Sequence, residues 1–186
     1  MKKVALAVVF LLLAGSLLFA GGQTEKSEIK VAIRNADYDT LDPHVSSFTQ
    51  AAYVFQNVFE RLIYLESDGD LVPWLAKSWE SNNDATEWDL QLRDDVTFHD
   101  GTPFNAEAVK FNFDRMKDPD TQSKQAGPLL GPYARTEVTG EYSVKVYFDE
   151  PYALFPFALS SPFMGMVSPS AVDEYGTDFT KHLVGS

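Results

Sequence analysis

The sequence predicts a mixed α/β lobe in which antiparallel hairpins alternate with helices. Two kinds of periodicity and one property of the element order lead there. Residues 87–98, EWDLQLRDDVTF, alternate cleanly: Trp88, Leu90 and Leu92 point one way, Asp89, Gln91 and Arg93 the other, as in a half-buried antiparallel strand. Residues 142–148, YSVKVYF, repeat the alternation. Ala51, Phe55, Val58 and Phe59 instead recur at i, i+4, i+7 and i+8, the apolar stripe of a helix. The strands and helices do not follow a strict βαβ order, which argues for hairpins within a mixed lobe.

Taken in order, the chain starts with Lys2 and Lys3, an unbroken apolar run over residues 4–20 and the polar stretch GGQTEKSE. A basic start, an apolar core and small residues at its end make a secretory signal peptide over residues 1–22, cleaved after Ala20 or Gly22; a retained anchor is the alternative. Residues 29–33, IKVAI, read as a strand. Residues 35–47 are rich in Asx and Ser and read as a loop, followed by a helix over 48–60. Residues 61–65 make a strand, and ESDGD after it carries the Asp-Gly hairpin signal. Pro73 suits a first helical position, so residues 73–80 are expected to form a short helix. Residues 151–169, apolar and divided by prolines, are expected to hold a short helix and a strand.

The stretch DDVTFHDGTPFNAEAVKF (94–111) packs several signals together. Val96 and Phe98 are expected to continue the preceding strand, and HDG to close it with a turn that uses Gly101 at positive φ. Asn105 is expected to N-cap a helix. Glu107 sits in its first turn, with Val109, Phe113 and Met116 on the core side and Lys110, Asp114 and Lys117 toward water. His99 and Asp100 are neighbours at a strand end and so point to opposite faces. No HxH or HExxH spacing involves His44, His99 or His182. The corner is therefore read as structural.

Net charge is -12, from 15 basic and 27 acidic residues, a surface that repels nucleic-acid backbones. The 186 residues include no cysteine, which excludes disulfides, Cys-ligated metal centres and a lipid anchor on cysteine. There is no GxSxG elbow, no calcium loop in ESDGD, and no phosphate loop at Gly127 or Gly131, which prolines flank. Hence no catalytic residue, metal ligand or cofactor is predicted. A secreted hydrolase, the rival from another class, lacks any nucleophile–base set.

LDPH (41–44), VPWLAKSWE (72–80) and WDLQLRDDVTFHDGTPFNAEAVKF (88–111) together resemble the extracellular solute-binding proteins of family 5, which serve peptide and nickel ABC importers. The resemblance implies a periplasmic-binding-protein-like class II fold of two lobes. Residues 23–186 would be the N-terminal portion of lobe I, stopping before a GTGPF-like segment and lobe II, and alone unable to enclose a ligand. It implies a non-enzymatic, periplasmic protein, monomeric when full length, that carries an oligopeptide or dipeptide to a membrane permease. The ligand-lining positions carried over are Ser46, Ser47, Phe48 and Thr49, with Tyr38 before the motif. For Ser46 and Ser47, capping of the helix that begins near Phe48 is the equally weighted alternative. Nickel-binding relatives carry an aromatic and a methionine at the positions matching Ser46 and Ala51, which lowers the nickel-chelate reading. Oligosaccharide and a non-binding fragment stay open.

Overall fold

The structure, a computed structural model, describes residues 38–186; the expected signal peptide and the strand at 29–33 lie outside them. Four strands form an antiparallel sheet in the order β3-β4-β6-β5, with β3 at Ala76–Ser81, β4 at Glu87–Leu92, β5 at Tyr133–Gly140 and β6 at Ser143–Phe148. Two hairpins, β3–β4 and β5–β6, are thus joined along the β4–β6 seam. The alternation decides which face is covered: Trp88, Leu90, Leu92, Val144, Val146 and Phe148 are all buried. Helix α2 (Ala106–Lys117) links the hairpins in sequence and packs against β5 and β6. Its stripe of Val109, Phe113 and Met116 is buried as the period requires.

Between sheet and helix lies an aromatic core centred on Phe155. Its ring centroid is 4.8 Å from Phe148, 5.9 Å from Trp88 and 6.1 Å from Phe113, each edge-on. Such pairs add roughly 0.5–1.5 kcal/mol each beyond buried area.

The remaining elements surround this core. A 3-10 turn, Thr49–Ala51, runs into α1 (Ala52–Val58), and β1 (Ile63–Leu65) pairs with β2 (Leu71–Pro73) as a separate ribbon. One-turn helices α3 (Ala126–Leu129) and α4 (Phe155–Ala158), the longer α5 (Pro169–Tyr175) and 3-10 turns at Pro119–Thr121, Pro162–Met164 and Gly176–Lys181 follow. α1 is shorter than the predicted 48–60, but Ala51, Phe55 and Phe59 do form its buried stripe. Gly127, beside Pro128, lies inside one-turn α3.

Three expectations are corrected. Residues 73–80 form no helix: Pro73 ends β2 and residues 76–81 are strand. No capping side chain precedes Pro73, and the free edge of β4 takes the segment through a bulge between Ala76 and Ser78; sheet pairing overrides a weak local signal. Val96 and Phe98 do not continue β4. The chain bends at Asp94 and Asp95, which bond Lys77 and Arg93, and a tight loop closes with Phe98 N–H on Thr102 C=O at 2.8 Å. No strand forms in 151–169. The N–H of Val167 donates to Asn112 Oδ1 (2.9 Å) and its C=O accepts from Asn112 Nδ2 (3.0 Å), so a buried side-chain amide on α2 takes the place of a neighbouring strand.

The predicted turn and cap do form. Gly101 has φ +82°, and Asn105 Oδ1 accepts from Ala108 N–H at 3.0 Å. Asn105→Ala is expected to cost about 1 kcal/mol, read from the urea midpoint. Asn105→Ser, which keeps an acceptor, should cost less than half of that.

Candidate functional site

The loop before α1 is folded around two carboxylates. Asp39 Oδ1 accepts from Thr40 N–H (2.9 Å) and Ser46 Oγ (2.6 Å), and Oδ2 from Ser47 N–H (2.8 Å) and Ser47 Oγ (2.7 Å). Burial raises this carboxyl, but the bonds from both serines and Thr40 outweigh it and hold Asp39 at about 2. The loop is thereby closed on itself from residue 39 to residue 47.

Its inner side carries the LDPH motif. Asp42 accepts from both terminal nitrogens of Arg115, Nη1 at 3.0 Å and Nη2 at 2.5 Å. Arg115 Nη1 also donates to His44 Nδ1 at 2.8 Å, while His44 Nε2 lies 3.0 Å from Gly165 C=O. These partners decide the tautomer: Nδ1 accepts, so the proton sits on Nε2 and is donated to the carbonyl. Full burial, then the adjacent guanidinium, push His44 down to about 4. Burial opposes ionisation of Asp42, yet the Arg115 bonds and the neighbouring His44 and Arg115 charges leave it below the usual carboxylate range. The motif is thus a latch tying the loop to α2 and to the segment before α5.

The latch gives stability a definite pH dependence. Above pH 6.5 His44 is neutral both folded and unfolded. As pH falls from 6.5 toward 4 the unfolded chain takes up a proton that the folded chain refuses, so stability is lost over that window. Asp42 adds a loss of the same sign below its ordinary 3.8. The urea midpoint is expected to drop between pH 7 and pH 4.5, with a shallower slope in His44→Gln.

The predicted ligand positions divide on this frame. Ser46 is fully buried, its hydroxyl committed to Asp39 and accepting from Phe48 N–H at 3.3 Å. Ser47 is half-buried. Its C=O accepts weakly from Gln125 Nε2 (3.4 Å). Neither serine caps the helix, since Phe48 occupies the N-cap position without a side-chain bond. Tyr38, Phe48 and Thr49 are exposed, and so is Tyr53 on α1. The loop therefore offers aromatic surface and a hydroxyl on a rigid base. A groove of about 560 Å³ between α2 and α5, edged by Glu107, Asp114 and Asp173, contains none of these positions.

The corner at His99 and Asp100 is held together by its own bonds. Asp100 Oδ1 accepts from Thr102 N–H and Oγ1, and Oδ2 from Ser168 Oγ, which also caps α5 at Ala171 N–H. His99 Nδ1 accepts from Gly185 N–H at 3.3 Å. Among the described residues no three His, Asp or Glu side chains are grouped to hold a metal ion. Asp39 and Arg115 escape a reading of the sequence, the first as one Asx among several in its loop, the second as a basic residue in a last helical turn.

The family model for bacterial extracellular solute-binding proteins, family 5 middle, matches residues 70–186. The glutathione-binding protein GsiB of Shigella dysenteriae serotype 1 is 33% identical over 183 residues, covering 98% of this chain and 34% of its own length. The chain thus spans about a third of the curated relatives it matches. NikA from Brucella suis, solved with Fe(III)-EDTA, superposes with a TM-score of 0.65 at 32% identity, over 73% of this chain and 27% of that one. AgaA from A. tumefaciens R10, a periplasmic binding protein solved with agropinic acid, gives 0.75 at 26% identity, over 81% and 30%. The antiparallel sheet and its helices are therefore part of the periplasmic-binding-protein fold, and the chain belongs to the bacterial extracellular solute-binding proteins of family 5.

Proposed function

We propose that the protein is the substrate-binding component of an ABC importer, capturing oligopeptides or dipeptides in the periplasm and delivering them to a membrane permease without catalysing a reaction. The observation that carries this reading is a family-5 chain whose residues 39–47 are knotted into a fixed base, with Tyr38, Phe48 and Thr49 outward. Rigid aromatic surface with few polar groups suits a ligand whose side chains vary. GsiB is named for glutathione, itself a peptide. Export is supported by Lys2, Lys3 and the apolar run over residues 4–20.

The ligand-lining role falls to Tyr38, Ser47, Phe48 and Thr49, with Ser46 holding the loop from inside. The test is calorimetric titration of the protein expressed from its complete reading frame with glutathione, di- and tripeptides, a nickel–histidine chelate and a trisaccharide. Peptide binding that Phe48→Ala weakens roughly tenfold supports the reading. Heat from the chelate or the sugar alone reassigns the cargo.

A further inference from the structure

Among the described residues, Arg61 is the exception in the set of partly buried cations. Arg115 lies on Asp42, and Lys145 is shared by Glu87 and Asp89. Arg61 is half-buried, and the hydrogen bond it makes among the described residues is to the carbonyl of Ser160, Nη1 to O at 2.8 Å. Burial pushes its guanidinium below the usual range, and among the described residues no carboxylate offsets that. In a chain with 27 acidic side chains, leaving a partly desolvated guanidinium without one is unfavourable unless another anion arrives.

Its surroundings fit such an anion. The Arg61 guanidinium carbon lies 5.2 Å from the Tyr64 ring centroid, and Tyr64 stacks with Trp74 at 5.0 Å and 28°. Trp74 is 39% exposed. Helix α4, which packs against β1, presents Phe157 to solvent at 56%, and Leu154 just before it is exposed at 67%. Among the described residues one of the guanidinium's five N–H groups is engaged, which leaves others for a planar acceptor. A carboxylate takes two of them in parallel, while the Tyr64 and Trp74 rings beside it receive an apolar body.

We propose that Arg61, backed by Tyr64 and Trp74, is a carboxylate-binding subsite for ligands whose carboxylate is attached to an apolar or aromatic group, such as the C-terminal residue of a peptide. The proposal rests on the solute-binding reading only for the peptide source. A free aromatic acid would satisfy the same chemistry.

Three probes separate these cases in the full chain, followed by the indole N–H resonance of Trp74: Gly-Gly-Phe, its C-terminal amide and phenylacetate. Both acids are expected to shift the resonance, with the amide at least about tenfold weaker. Arg61→Gln should reduce that preference to about onefold in protein that circular dichroism shows to be folded, and Arg61→Lys should keep part of it. A response to phenylacetate but to neither peptide supports the subsite and removes the peptide reading. Equal binding of Gly-Gly-Phe and its amide, or no response to any probe, overturns the subsite; equal binding leaves the peptide reading standing.

Discussion

Arg115→Ala is expected to lower the folding free energy by about 3–5 kcal/mol, the range for removing one member of a buried ion pair. Asp42 has a side-chain exposure of 7% and Arg115 of 14%. The substitution leaves a largely buried carboxylate without its counter-ion and a His44 Nδ1 without its donor. Arg115→Lys keeps a charge but not the fork that meets Asp42 and His44 together, so it should recover only part of the loss. The Asp42→Ala, Arg115→Ala double variant should lose less than the sum of the singles, because no isolated charge remains. Urea unfolding followed by far-UV circular dichroism reads all three. A loss below about 1 kcal/mol, the range of an exposed pair, would show that the latch does not secure the loop.

Phe155→Ala carries the second large effect, about 3–5 kcal/mol. The ring is fully buried and meets Trp88, Phe113 and Phe148 edge-on, with Tyr152 tilted beside it at 6.3 Å. These neighbours come from β4, α2, β6 and the turn before α4. No single element can move to refill the space. Phe155→Leu should lose less than half as much, since most of the volume stays. The same urea titration distinguishes them, and comparable losses for leucine and alanine would mean that ring geometry matters more than volume.

The sheet and α2 are legible in the sequence because their information is local. Strand alternation at 88–92 and 143–148, the stripe at 109, 113 and 116, and the cap at Asn105 each need only near neighbours. The failures occur where a distant partner decides. Residues 73–80 read as helix until β4 is beside them, and the strand expected within 151–169 gives way to extended chain bonded by the Asn112 amide. The candidate loop is legible in position but not in construction. Its place before α1 follows from composition, whereas the knot on Asp39 and the bond of Asp42 to Arg115, 73 residues on, depend on tertiary contact. Ser46 looks like a surface hydroxyl in the sequence and is a buried one in the fold.

The amide of Asn112 has a consequence for proton exchange. Val167's backbone is protected by one side chain rather than by a ladder of strand bonds. A ladder opens from its ends, so protection there grades along the strand, but this bond opens only when α2 separates from the segment. The Val167 amide proton should therefore exchange in step with the buried amides of α2, and its rate becomes a spectroscopic gauge of how firmly that helix sits on the lobe.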